Sequence, residues 1–223
     1  PFRWVCLSGK HEDLVATDHA AMEVIDPTRR YQDRDNYNWI RDAEKNQLVV
    51  GTQARILYQD CMGRVNIALK FNELVREGKI GPVMLGRDHH DVSGTDSPFR
   101  ETSNIKDGSN VCADMATQCY AGNAARGMSL IALHNGGGVG IGKSINGGFG
   151  LVLDGSEQVD EIIKSAIAWD TMGGVARRSW ARNDHAIETS IEYNKMNQGT
   201  DHITIPYLAE QSSIDAAINA LFD

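Results

Sequence analysis

The sequence predicts an α/β fold, an open mixed or mostly parallel sheet flanked by helices, and three observations predict it. Short apolar runs that read as strands alternate with segments of helical period, the order of a layered α/β domain rather than of a helical bundle or a sandwich. Two of the strand-like runs lead directly into long polar or glycine-rich loops, the arrangement in which such a sheet carries ligands at one edge. At 223 residues the chain is long enough to bury a sizeable core.

The elements follow in order. Residues 4–7 read as a strand. Thr17-Asp18 is a cap candidate opening a helix whose apolar positions Ala20, Ala21, Met22, Val24 and Ile25 end before Pro27. The polar, aromatic stretch 31–41 turns helical near its end. Val65, Ala68, Leu69, Phe71, Asn72 and Val75 keep a helical period that stops at Gly78, and Pro82-Val83-Met84-Leu85 is a short buried strand. Residues 111–126 form a second long helix, 129–133 a strand and 149–153 another. Helices at 157–168 and 184–197, an extended piece at 202–206 and a closing helix at 214–222 complete the chain, with Val159, Ile162, Ile163, Ala166 and Ile167 on the apolar side of the first. Residues 1–183 are expected to form the core region and 184–223 a helical extension packed on it.

Charge narrows the function. Against 22 basic residues stand 30 acidic ones, a net of -8, which argues against a nucleic-acid surface or adhesion to anionic membranes. No apolar run is long enough to span a bilayer and no signal peptide is apparent, so a cytoplasmic protein is expected. Cys6, Cys61, Cys112 and Cys119 contain no C-x-x-C pair and read as reduced thiols. The chain opens Pro1-Phe2-Arg3-Trp4 without an initiator Met and enters a strand at once, as a portion of a longer chain does.

Eight glycines fall within the fifteen residues Gly136 to Gly150, a density that lets main chain approach a ligand closely. Gly137 through Ser144 satisfies the P-loop pattern, but a P-loop opens a helix, and the residues after Ser144 read as a strand. The dinucleotide fingerprint G-x-G-x-x-G fails as well. Upstream, residues 86–104 hold almost no large apolar side chain. Asp88, His89, His90 and Asp91 are ligand types for a divalent metal, although adjacent histidines in an extended segment point to opposite faces. A P-loop-like nucleotide-binding domain, a metal-dependent hydrolase and a non-enzymatic domain remain as alternatives.

The two segments together carry a resemblance. Arg87-Asp88-His89, Ser97-Pro98, Arg100-Glu101-Thr102, Lys106-Asp107-Gly108-Ser109, His134 and Gly136-Gly137-Gly138-Val139-Gly140, in this order and at these spacings, resemble urocanase (urocanate hydratase). The likeness extends to Arg3-Trp4-Val5-Cys6 with Ser8-Gly9, Ala54-Arg55-Ile56, Phe71-Asn72-Glu73, Leu153-Asp154-Gly155 and Gly174-Val175. It implies the C-terminal half of the urocanase core, lacking the dinucleotide-binding domain. It also implies a homodimeric, cytoplasmic lyase of histidine degradation that adds water to urocanate, giving imidazolonepropionate, with tightly bound NAD+ as electrophile. By itself this chain is then expected to be inactive.

Residue roles follow from the same resemblance. Gly136, Gly137 and Gly138 admit NAD+, and Gly138 matches a family contact to it. Asp88, His89 and Asp91 are assigned proton transfer and the orienting of water or imidazole. Arg100 pairs with the substrate carboxylate, and His134 sits beside either ligand or packs as a structural histidine at a strand end. No metal ligand is assigned. One departure stands out: bacterial members carry a reactive cysteine directly after the Ala-Arg-Ile word, where this chain has Leu57, with Cys61 four residues on.

Overall fold

A computed structural model of the chain describes residues 2–48, 52–87, 90–91, 114–134, 146–180, 182–197, 202–205, 207 and 209–222. These divide into two compact units, Pro1–Thr171 and Met172–Asp223. The first is built on an open antiparallel sheet. Its strands are β1 (Phe2–Cys6), β2 (Ala54–Leu57), β3 (Val83–Gly86), β4 (His90–Asp91), β5 (Leu130–His134) and β6 (Asn146–Leu153). They are laid out β2-β1-β3-β6, with β4 following β3 along one side of β6 and β5 paired to its other side. The expected α/β class and open sheet are present, and every described ladder is antiparallel.

Alternation explains which face is covered. Along β1, Phe2, Trp4 and Cys6 are buried while Arg3 is exposed; β3 buries Val83 and Leu85, and β6 buries Phe149, Leu151 and Leu153. Onto this face pack α1 (His11–Val24), α3 (Cys61–Arg76) and α5 (Glu157–Ile162). The chain continues through a π-helical turn, Ile163–Ile167, into α6 (Ala168–Trp180). Trp4 is the hub: its ring lies 5.9 Å from Phe2 and 5.1 Å from Phe71, centroid to centroid, and its indole N–H donates to Thr17 Oγ1 at 2.9 Å.

That bond accounts for a difference from expectation. Thr17-Asp18 does not cap α1, which begins at His11; both residues lie inside the helix and are buried. Thr17 donates to Leu14 O at 2.7 Å and accepts from Trp4. Asp18 receives Arg55 Nε at 3.0 Å and Arg55 Nη2 at 2.8 Å, joining α1 to β2. Burial pushes the Asp18 carboxyl above its ordinary value while the Arg55 hydrogen bonds draw it back. Polar side chains that resemble a cap locally serve long-range partners instead.

Two words of the sequence that lie far apart meet at the other end of the sheet. Asn72, in α3, accepts from Gly155 N at 2.8 Å and donates to Ser156 O at 2.9 Å and Asp160 Oδ1 at 2.7 Å, while Arg76 Nε donates to Gly155 O at 2.6 Å. Gly155 has φ +86, and a Cβ there would lie 2.8 Å from Arg76 backbone, so this turn requires glycine. The remaining helices of the first unit are α2 (Tyr31–Ala43) and α4 (Asp114–Ala125).

In the second unit, α7 (Asp184–Met196) is capped by Asn183 and meets the end of α6 through a Ser179–Ser190 hydroxyl pair at 2.8 Å. Asn194 holds Ile203 on both backbone groups at 2.8 Å. The last helix, α8 (Gln211–Phe222), buries none of its residues. No helix among the described residues is long and apolar enough to cross a membrane.

Removing one partner of the Asp18–Arg55 pair leaves a buried charge uncompensated, a loss of about 3–5 kcal/mol. Asp18→Ala is therefore expected to lower the urea midpoint strongly at unchanged slope, and the double variant Asp18→Leu/Arg55→Met to recover much of the loss. A loss below about 1 kcal/mol for Asp18→Ala contradicts the pairing.

His11 links α1 to α2 and the approach to β2, with Nε2 2.9 Å from Glu44 and Nδ1 2.8 Å from Gln53. These hydrogen bonds, Glu44 first, raise its pKa above 6.5. The folded state then holds the proton more tightly than the unfolded chain. The stabilisation is present in full below the unfolded value and is lost as pH rises through the folded one. Between about pH 5.5 and about pH 8.5, unfolding free energy is expected to fall more for the wild type than for His11→Gln; equal falls contradict the contact.

Candidate functional site

Because each described pairing is antiparallel, β2, β3, β4 and β5 run one way and β1 and β6 the other. The carboxyl ends of the four therefore lie along one edge of the sheet, with the start of β6 between the ends of β4 and β5. Register makes this concrete: Asn146 is opposite Asp91 on one side and His134 on the other, and Gly147 is opposite His90 and Leu133. With strands about 4.8 Å apart, Asp91 and His134 flank β6 about 10 Å from each other. Gly147 also admits α4, since a Cβ there would stand 3.1 Å from Ala116 O.

Just before this point Gly86 is opposite Gly150 and His90 opposite Gly147, so the register of β4 on β6 is offset by one residue from that of β3. Arg87 directly follows β3 and is buried with its charge paired. Its Nε donates to Asp170 Oδ2 at 2.5 Å and its Nη2 to Asp170 Oδ1 at 2.8 Å, and its guanidinium stands 5.7 Å from the Phe149 ring centroid. Asn123, from α4, donates to Asp170 Oδ1 at 3.3 Å, and its own Oδ1 has no hydrogen-bond partner among the described residues. A bidentate buried pair of this kind fixes orientation, and here it ties the chain immediately before Asp88 to α6.

A second polar network holds the loop after β2. Asn36 of α2 accepts from Tyr58 N at 3.3 Å and donates to Tyr58 O at 3.2 Å and to Gln59 Oε1 at 3.0 Å; Gln59 in turn donates to Asp33 Oδ1 at 3.1 Å. Arg29 and Arg30 both pair with Asp33 and Asp60. Asp60 caps α3 by accepting from Gly63 N at 2.8 Å. In the first turn of that helix Arg64 donates Nε to Gln59 O at 2.6 Å. The backbone is thus pinned while the Tyr58 ring stays 60% exposed.

Sulfur chemistry is absent from this loop's accessible groups. Leu57 is buried in the core, and Cys61 is buried with its thiol pushed up to about 12, by burial first and then by the Asp60 charge. Burial and a raised pKa are the opposite of the exposed, electropositive setting that activates a cysteine. The strand β6 begins at Asn146, so Ser144 does not lead into a helix and the P-loop context is missing.

Of the site residues expected from the sequence, His134 is half-buried at the end of β5 and Asp91 is the last residue of β4. Asp88, His89, Arg100, Gly136, Gly137 and Gly138 lie outside the described residues. Arg64, Asn123 and Asp170 are additions that pattern reading missed. Each is a polar residue on a helix to which only a distant partner gives meaning; an Asp in the apolar stretch around Trp169 was the one available signal.

Residues 1–192 match the family described as Urocanase C-terminal domain. The chain is 51% identical to the urocanate hydratase of Mus musculus over 98% of its own length, and 50% identical to that of Homo sapiens over 96%. It is 52% identical to a probable urocanate hydratase of Caenorhabditis elegans over 95%. It spans about a third of the length of these relatives, 34% of the mouse protein and 33% of the other two.

The Arg87–Asp170 pair generates a stability test at the site. Asp170→Ala removes the bidentate partner of a buried guanidinium and is expected to cost about 3–5 kcal/mol in urea unfolding, more than Asp154→Ala on the exposed turn after β6. Equal, small losses for the two variants contradict the buried pair.

Proposed function

Since the chain belongs to the urocanase family, as its C-terminal domain, we propose that in the intact protein it forms one wall of a urocanate hydratase site. The observation that carries the reading is the common register level of Asp91 and His134 on either side of Asn146. It puts the strand ends that lead out of the Arg87-Asp88-His89 word and into the glycine run side by side. In this reading Asp88, His89 and Asp91 move protons and orient water, Arg100 pairs with the substrate carboxylate, and His134 flanks the ligand. Gly136, Gly137 and Gly138 admit the main chain to NAD+. The reaction adds one water to urocanate to give imidazolonepropionate, a step of histidine degradation, in a cytoplasmic homodimer.

An edge bearing guanidinium groups fits a dinucleotide, whose phosphates are anionic. The chemistry that NAD+ supplies there is an electrophilic nicotinamide ring, which eases addition of water to the imidazole without net oxidation. The chain's own contribution is to hold the substrate carboxylate, keep water in place and shuttle protons at the ring, acid–base help that amounts to about 10²- to 10⁴-fold. In this reading Cys61 is not a nucleophile, because it is buried and burial pushes its thiol up to about 12.

The intact protein is expected to remove urocanate's ultraviolet absorbance and this chain alone to leave it unchanged. Arg100→Ala in the intact protein is expected to lose turnover by roughly a hundredfold or more, whereas Cys61→Ala keeps it. Full activity of Arg100→Ala overturns its substrate role, and absence of urocanate consumption by the intact wild type overturns the function.

A further inference from the structure

We propose that Arg64 is an oxyanion-holding residue of this site, presenting its guanidinium to a carboxylate or phosphate of a bound ligand. The inference deepens the hydratase reading and rests on it for the identity of the ligands. It starts from the charge around the loop after β2. Among the described residues, four guanidiniums, Arg29, Arg30, Arg64 and Arg87, face three carboxylates, Asp33, Asp60 and Asp170. Arg29 and Arg30 share Asp33 and Asp60. Arg87 takes both oxygens of Asp170. Arg64 is the one left over: its Nε is spent on Gln59 O at 2.6 Å, and its two amino groups make no hydrogen bond or ion pair among the described residues.

Its position is held firmly. Gln59, whose carbonyl accepts from Arg64, is itself buried and fixed by Asp33 and Asn36. Burial lowers the Arg64 pKa, with Asp170 pulling upward and Arg87 repelling, yet a guanidinium remains charged throughout the physiological range. A half-buried cation, pinned by one N–H and pushed by a like charge, gains most from an anion that completes its fork. Gln59 lies two residues past the carboxyl end of β2, and Arg87 directly follows that of β3, so the backbone that anchors Arg64 leaves the sheet at the same edge as His134.

The test is binding to the intact protein, read as KM for a ligand that is consumed and by calorimetry for one that is not, for the wild type, Arg64→Gln and Arg64→Lys. The probes are urocanate and 4-vinylimidazole, which keeps the ring and lacks the carboxylate; retained NAD+ is measured after denaturation. If the oxyanion is the substrate's, Arg64→Gln weakens urocanate by about 10- to 100-fold, leaves 4-vinylimidazole unchanged, and Arg64→Lys recovers part of the loss. If it is the dinucleotide's, retained NAD+ falls in Arg64→Gln and recovers in Arg64→Lys, while urocanate binding is restored by excess NAD+. Either result supports the assignment and names the source. Unchanged urocanate affinity and NAD+ content overturn it, as does equal weakening of both probes by both variants together with a lowered urea midpoint, the mark of a merely structural role. A wild type that binds urocanate without consuming it overturns the hydratase reading alone, since the binding comparison still reports on Arg64.

Discussion

The antiparallel pairing of β6 with three other strands is the constraint on which the rest depends. Because β3, β4 and β5 all run against it, their carboxyl ends are forced to one edge, and two sequence segments separated by a long helix arrive there as neighbours. No individual side chain is responsible for that convergence. It follows from register, and register follows from which face of each strand is apolar: Leu151 and Leu153 must share the covered face with Leu85 and Val83. A one-residue slip would turn that set outward.

On this frame the polar interior does positional work. Asp18 and Arg55 tie α1 to β2, Asn72 ties α3 to the turn after β6, and Asp170 ties α6 to Arg87 at the end of β3. Each joins residues remote in sequence, and each is hydrogen-bonded on more than one atom, so geometry and not only attraction is set. Of these the Asp170 pair borders the edge, and with the Asn36–Gln59 network it leaves Tyr58 and Arg64 on rigid supports. Preorganised donors of this kind lose little freedom when a ligand arrives.

Much of the fold was legible in the residues. The buried faces of β1, β3 and β6 and the apolar stripe of α3 stand in the sequence as periods of two and 3.6. What was not legible has specific causes. The strand β2 hides because one of its inward positions is Arg55, which only Asp18 makes tolerable. The start of α1 is masked by Thr17 and Asp18, whose partners are Trp4 and Arg55. The helix α6 carries Gly173-Gly174, a pair that reads as a break, yet the helix continues through it. Of the site, the glycine run and the acidic-histidine word announced themselves by composition, whereas Arg64 and Asp170 depend on contacts that no local pattern encodes. Resemblance supplied the chemistry, and topology supplied a physical reason for the two words to act together.

The proposed ligand position is the edge where β4 and β5 end beside the start of β6. The most direct measurement is a crystal structure of the intact protein with an unreactive, saturated analogue of urocanate. Density for the analogue within hydrogen-bond reach of the His134 end of β5, with its carboxylate on an arginine of this chain, is the result the account predicts. Density seated at the opposite edge, near the Asn72–Gly155 turn, or wholly on the remainder of the protein, would contradict it.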